Sequence, residues 1–313
     1  MKNTIVLGKK LPVMSIGTVQ LGMNYGIANE GGKPDEEKSF AMLRTAFENG
    51  AASLDTARAY GDSEEVIGRF LKTWEGETPY ITTKTRVAKD PDCDIEKHVI
   101  TSMEESLVRL GVKKVNCVLH HNPVDMYDHR EKLASAMERL VKMGYTDQVG
   151  VSVYTQEDVE EMLRYPQYTA TQVPMSIFDQ RLIASGTVAK LKDMNYTVFV
   201  RSVFLQGVFF LDPDKVTDPI LVKEAVPKIR LLREIAAAEG MSVAQLAIAF
   251  MRDTVGVTSL VLGADTPEQV KENIAYFDAP TLSATVMARL QAEFKSVDIP
   301  EIMKVLSRPK PQN

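Results

Sequence analysis

The sequence alternates between short apolar stretches and longer segments in which apolar residues recur at helical spacing, and this alternation occurs eight times. In a representative unit, residues 51–55 form the apolar stretch, and Val66, Ile67 and Phe70 form the helical stripe that follows. Glycine ends several of the helical segments, as at Gly111. Because strands joined by helices pair in parallel, the pattern predicts an α/β protein with a parallel sheet.

The predicted strands are 11–16, 51–55, 80–84, 115–121, 148–152, 171–174, 197–201 and 259–262. The predicted helices are 36–49, 63–72, 95–110, 130–143, 155–164, 184–194, 222–239 with 242–252, and 267–276. Eight such units predict a closed (β/α)8 TIM barrel, expected as a single domain over residues 1–313. A doubly wound open sheet is the alternative, but no G-x-G-x-x-G follows the first strand.

Ionisable residues stand at the ends of four predicted strands: Asp55, Lys84, His121 and Arg201. Ligands bind at the carboxyl ends of barrel strands, so these side chains are candidates for chemistry. A buried lysine needs a partner, and Asp55 on the neighbouring strand is the natural one for Lys84. The paired lysine would stabilise a phenolate at Tyr60 and make this phenol a usable acid near neutral pH.

The sequence around these residues resembles the aldo-keto reductase superfamily. The matching motifs are LDTA at 54–57 and YGDSE at 60–64. The motif YGIAN at 25–29, after the first strand, resembles a bacterial branch of this superfamily. The resemblance implies an N-terminal β-hairpin that plugs the barrel floor and a C-terminal extension at 283–313.

The resemblance also assigns roles. Tyr60 is the proton donor to a carbonyl, Lys84 and Asp55 are its tuning pair, and His121 orients the carbonyl. His120 competes with His121, but His121 has the His-x-Pro context, and only one of two successive strand residues can face the pocket.

A nicotinamide cofactor is the partner that the resemblance implies for this tetrad. Ser152 and Gln172 match its carboxamide contacts, and Arg201 stands where the family usually has an aromatic residue that stacks on the ring. A guanidinium there can stack and can also attract an anionic substrate. The complete set of candidate cofactor-binding residues is Thr18, Asp55, Ser152, Gln172, Arg201, Ser202, Phe204, Gly207, Gly263, Ala264, Asp265, Gln269 and Asn273.

The segment after the last strand departs from the family. The Lys, Ser and Arg that clamp the 2′-phosphate of NADPH in many members are Gly263, Ala264 and Gln269 in this chain. Asp265 adds a negative charge, which suits a ribose 2′-hydroxyl. NADP(H) is the family default, and NAD(H) or the use of both cofactors is the rival.

Composition narrows the remaining classes. A net charge of −5, from 37 basic and 42 acidic residues, argues against a nucleic-acid partner. Two isolated cysteines, Cys93 and Cys117, favour a reducing cytoplasm, and neither a signal peptide nor a membrane span is expected. The four histidines and two cysteines show no metal-ligand spacing, so no metal is expected.

The sequence therefore predicts an oxidoreductase that reduces an aldehyde or ketone, with sugars as one candidate class, and whose small-molecule specificity lies in loops 22–35, 122–129 and 203–221. Two alternatives stay open. One is a nucleotide-binding regulatory protein of the same fold with slow turnover. The other is a barrel lyase or epimerase that uses the Lys84 amine.

Overall fold

The computed structural model describes residues 1–24, 32–87 and 94–308. The described residues form ten strands: β1 (Asn3–Val6), β2 (Lys9–Pro12), β3 (Met14–Gly17), β4 (Ser53–Asp55), β5 (Tyr80–Thr85), β6 (Val115–His120), β7 (Thr146–Ser152), β8 (Tyr168–Pro174), β9 (Thr197–Arg201) and β10 (Ser259–Leu262).

Strands β3 to β10 close into a parallel barrel. Each pairs with the next along the chain, and β10 pairs with both β9 and β3. This closure confirms the predicted (β/α)8 barrel and excludes the open doubly wound sheet.

Helices follow the barrel strands in the predicted alternation. Within the described residues they are α1 (Val19–Gly22), α2 (Glu36–Glu48), α3 (Ser63–Leu71), α4 (Ile95–Leu110), α5 (Pro123–Lys142), α6 (Gln156–Met162), α7 (Arg181–Ala184), α8 (Thr187–Asp193), α9 (Pro219–Glu224), α10 (Val226–Ala238), α11 (Val243–Asp253), α12 (Pro267–Tyr276), α13 (Ala284–Phe294) and α14 (Ile299–Leu306), with a 3-10 turn at Leu205–Phe210.

The N-terminal hairpin is present as an antiparallel pair of β1 and β2. Leu11 on β2 is fully buried and packs with Tyr80, Cys117 and Phe199, whose side chains fill the barrel interior. The hairpin therefore closes the amino end of the barrel, as expected. Helices α13 and α14 make up the described part of the C-terminal extension.

The structure modifies two predicted boundaries. The segment 11–16 is divided: β2 ends at Pro12, Val13 donates to the Lys2 carbonyl at 3.1 Å, and β3 starts at Met14. The helix expected at 130–143 matches the second part of α5, which is interrupted at Arg130 by a non-helical backbone with φ +42°. A first part that was not predicted begins at Pro123, where Asn122 accepts a hydrogen bond from the Val124 N–H.

The described part of the chain contains no single helix that is long and apolar enough to cross a membrane. Helices α10 and α11 meet the length and composition test only as a pair, which is bent by 85°. The segments 25–31, 88–93 and 309–313, with the YGIAN motif and Cys93, lie outside the described residues.

Candidate active site

A buried ion pair lies at the carboxyl ends of β4 and β5. The Lys84 Nζ donates to Asp55 Oδ1 at 2.6 Å, and the two side chains are 0% and 5% exposed. Lys84 also donates to the Thr56 carbonyl at 3.0 Å and to the Tyr60 hydroxyl at 3.5 Å. Burial by itself lowers the pKa of Lys84, but the charges of Asp55 and Tyr60 outweigh it and raise this pKa above its usual value. The lysine is therefore a permanent ammonium beside the Tyr60 phenol.

Two glycines fix the loop that carries Tyr60. A Cβ on Gly22 would stand 1.7 Å from the Tyr60 carbonyl oxygen, and a Cβ on Gly61 would stand 2.2 Å from the Gly22 carbonyl oxygen. Gly61 also has φ +56°, a left-handed conformation that favours glycine. The end of α1 therefore packs backbone to backbone against the Tyr60 loop.

Hydroxyl hydrogen bonds also connect the segment around Thr18 with the ends of β4 and of the Tyr60 loop. Ser63 donates to the Thr18 carbonyl at 2.9 Å, and Thr18 donates through its hydroxyl to the Asp55 carbonyl at 3.0 Å. Asp62 stands at the N-cap of α3, but its carboxylate pairs with Lys33 at 2.5 Å instead of accepting a hydrogen bond from a helix N–H.

The two histidines at the end of β6 point to different surroundings. The His121 ring meets the Tyr60 ring edge to face, with 5.4 Å between centroids. The His120 ring is fully buried and lies 2.7 Å from an Asp125 oxygen. Burial, reinforced by the charges of Lys84 and nearby arginines, lowers the pKa of His121 to about 3. His121 is thus a neutral imidazole beside Tyr60, and its buried Nδ1 has no hydrogen-bond partner within the described part of the chain.

Gln172 adds a contact that the sequence reasoning missed. Its Nε2 donates to Asp55 Oδ2 at 2.6 Å, so both oxygens of this carboxylate are engaged. Parallel strands that are distant in sequence meet across the barrel mouth, and no local pattern signals such a pair. The Gln172 side chain therefore takes part in the hydrogen bonding of the ion pair, whether or not it also binds a ligand.

A cavity of about 490 Å³ opens beside this constellation. Most of the predicted cofactor residues line it, namely Thr18, Asp55, Gln172, Arg201, Ser202, Phe204, Gly207, Gly263, Asp265, Gln269 and Asn273, together with Tyr60. Ser152 and Ala264 are buried and are not among the described lining residues, so their proposed contacts stay predictions.

The cavity also has lining residues that were not predicted. Gln20, Glu272 and Tyr276 are among them. Gln269, Glu272 and Tyr276 follow one another at spacings of three and four on α12, so helical periodicity would have found the last two. Gln20 lies on α1, a single turn that the sequence pattern did not indicate.

The cavity offers unsatisfied polar atoms to a ligand. Gln20 Oε1 and Asp265 Oδ1 are buried without a hydrogen-bond partner in the described residues. Burial raises the pKa of Asp265, against an opposing influence of Lys38. The Asn273 amide donates to the Gly263 carbonyl at 3.1 Å, and Gln269 Oε1 accepts from the Asp265 N–H at 2.7 Å. Carboxamides, hydroxyls and orphaned acceptors of this kind suit the ribose and amide groups of a nicotinamide dinucleotide.

The structure and the sequence both match known proteins. The fold superposes with a TM-score of 0.75 on a holo form of an aldo-keto reductase from Bacillus halodurans, which is 20% identical and covers 93% of this chain and 95% of that one. L-glyceraldehyde 3-phosphate reductase of Escherichia coli is 27% identical over 90% of this chain and 89% of its own length. A probable voltage-gated potassium channel subunit beta of Oryza sativa is 23% identical over 88% and 93%.

The fold and these matches define a (β/α)8-barrel oxidoreductase. Residues 13–293 match the model of the Aldo/keto reductase family, and the chain belongs to this family. The family uses nicotinamide cofactors.

Proposed function

We propose that the protein reduces the carbonyl group of a small aldehyde or ketone, with Tyr60 as the proton donor. The observation that carries this proposal is the Tyr60 hydroxyl 3.5 Å from a Lys84 ammonium that is itself buried on Asp55. A reduced nicotinamide bound in the cavity would supply the hydride for the carbonyl carbon. Tyr60 gives its proton to the carbonyl oxygen, and the product is an alcohol.

Each partner of Tyr60 has a distinct task in this proposal. Lys84 stabilises the phenolate that remains after proton transfer, because an adjacent ammonium favours the charged form. Asp55 keeps that ammonium buried and fixed. His121 is neutral, so it donates a hydrogen bond to the carbonyl oxygen without competing for the proton.

We further propose that NAD(H) binds more tightly than NADP(H). The 2′-phosphate would approach two carboxylates of the cavity wall: Asp265, whose buried Oδ1 has no hydrogen-bond partner in the described residues, and Glu272 on α12. Among the described residues that line the cavity, the only Lys or Arg is Arg201, which belongs to β9. A ribose 2′-hydroxyl can instead donate a hydrogen bond to Asp265.

Fluorescence titration with NADH and, separately, NADPH tests the cofactor choice. We expect the dissociation constant for NADH to be the lower by about 10-fold or more, as for one charged hydrogen bond gained. An Asp265→Asn variant should narrow the difference between the two dissociation constants, with Asp278→Asn, two residues beyond the end of α12, as the matched control. Tighter NADPH binding to the unmodified protein would contradict this choice and leave the carbonyl chemistry intact.

Two alternative functions find less support. A lyase or epimerase needs a neutral lysine amine, whereas Lys84 is a buried ammonium with three hydrogen-bond acceptors. A slow regulatory protein needs no assembled proton donor, yet Tyr60, Lys84, Asp55 and His121 lie together.

The substrates to test first are small hydroxy-aldehydes, since the Escherichia coli relative is named for a three-carbon one. We propose a cytoplasmic location from the two isolated cysteines, and no nucleic-acid, membrane or metal partner. Consumption of NADH or NADPH with a panel of aldehydes and ketones tests the reaction, and no consumption with any of them would contradict it.

A further inference from the structure

Arg201 is a partly buried cation in the cavity wall that has no acidic partner among the described residues. Its Nη2 lies 3.5 Å from the Val153 carbonyl oxygen, and its guanidinium lies 4.5 Å above the ring centre of Tyr154. Among residues 1–24, 32–87 and 94–308, no carboxylate is within ion-pair distance of it. The charge of Arg201 is therefore available to a ligand in the cavity.

This situation differs from that of the other enclosed cations. Lys84 pairs with Asp55 at 2.6 Å, and Arg252, whose side chain is 9% exposed, pairs with Asp253 at 2.7 Å. An arginine taken out of water without a counter-charge costs stability, and a fold keeps it where another requirement outweighs that cost. A ligand that brings the missing negative charge would meet this requirement.

We infer that Arg201 binds an anionic group, a carboxylate or a phosphate, on the carbonyl substrate. The Tyr154 ring holds the planar guanidinium from one face and leaves its N–H edges for a two-pronged bond to the anion. This inference rests on the proposed carbonyl reduction and names its substrate class.

The test compares aldehydes that differ in charge and share the reacting group. The first pair is 4-carboxybenzaldehyde and 4-nitrobenzaldehyde, and the second is glyceraldehyde 3-phosphate and glyceraldehyde. The measured quantity is the ratio of kcat/KM for the anionic member to that for the neutral one. We expect a ratio well above one in at least one pair, and the pair that shows it identifies the anion as carboxylate or phosphate.

Variants attribute the ratio to the guanidinium. Arg201→Met should lower the ratio about 10- to 100-fold, as for the loss of one charged hydrogen-bonded pair, and mainly through KM. Arg201→Lys should retain part of it, because the charge stays but the planar fork is lost. Arg44→Met is the matched control, since Arg44 also lies over an aromatic ring, that of Phe70, on a distant helix, and it should leave the ratio unchanged.

Three results would count against this inference or its basis. A ratio near one in both pairs would overturn it. An Arg201→Met variant that lowers kcat/KM equally for charged and neutral aldehydes would also overturn it, because the arginine would then serve the cofactor alone. Reduction of none of the four aldehydes would instead overturn the proposed function, and this inference with it.

Discussion

Replacing Lys84 by methionine should destabilise the fold by an amount that the buried pair determines. The change removes the ammonium but keeps most of the side-chain volume, and it leaves the Asp55 carboxylate 5% exposed without its counter-charge. Breaking a buried ion pair costs about 3–5 kcal/mol. Gln172 still donates to Asp55 Oδ2 at 2.6 Å, so we expect a loss near the lower limit, about 3 kcal/mol.

The matching double variant separates the pair from the loss of packing. In Lys84→Met with Asp55→Asn no charge is left buried, so the double variant should be more stable than Lys84→Met alone, with a coupling free energy of about 1–3 kcal/mol. Urea unfolding followed by far-UV circular dichroism and by the fluorescence of Trp74, the single tryptophan, provides the free energies.

Two results would show that the pair of Lys84 and Asp55 contributes little to stability. A loss below about 1 kcal/mol in Lys84→Met, a size typical of exposed pairs, would show that the carboxylate finds solvent or a proton at little cost. Additive losses in the double variant would show that the two side chains do not interact energetically. Either result would refute the ion pair between Lys84 and Asp55 as a strong stabilising interaction at the mouth of the barrel.

Further predictions concern pH and the loop glycines. The pKa of His121 is about 3 in the folded state and about 6.5 in the unfolded chain. Between these pH values the unfolded chain binds more protons than the folded protein. The contribution of His121 to stability is therefore complete above pH 6.5 and decreases below it. Relative to His121→Gln, the wild type should therefore lose about 2 kcal/mol between pH 7.5 and pH 5 in unfolding experiments, and an equal pH response of the two proteins would contradict this. His121 should also stay neutral during turnover. The profile of kcat against pH should therefore show no inflection near pH 6.5 in the wild type that is lost in His121→Gln. Gly22→Ala should displace the Tyr60 carbonyl and lower kcat. Gly144→Ala is the control: Gly144 has φ +77° and no atom near its added Cβ, so this change should cost about 1–2 kcal/mol of stability and leave kcat unchanged. Similar losses of kcat in both variants would refute a role for the close contact between Gly22 and Tyr60.

Periodicity and strand-end chemistry predicted much of the fold and the proximity of the tetrad. The eight strand and helix units and the hairpin at the amino end of the barrel follow from patterns within about 20 residues along the chain. In a parallel barrel, the strand ends meet at one rim, so residues such as Asp55 and Lys84 come together once the fold is known.

Contacts across the barrel mouth could not be predicted in the same way. The bond from Gln172 to Asp55 spans 117 positions, and the close approach of Gly22 to the Tyr60 carbonyl depends on how two irregular loops pack. The stacking of Arg201 on Tyr154 likewise joins the ends of two strands whose loops have no period. Such contacts depend on three-dimensional packing, which local sequence does not encode.

The central claim is that Tyr60 donates the proton in a carbonyl reduction. Its most direct test compares Tyr60→Phe with the wild type, with kcat measured on the best aldehyde found and cofactor binding measured by fluorescence titration on the same samples. We predict that kcat falls by about 100-fold or more while the cofactor dissociation constant changes little, because the phenylalanine keeps the ring and loses only the acidic hydroxyl. A Tyr60→Phe protein with full turnover would contradict the account.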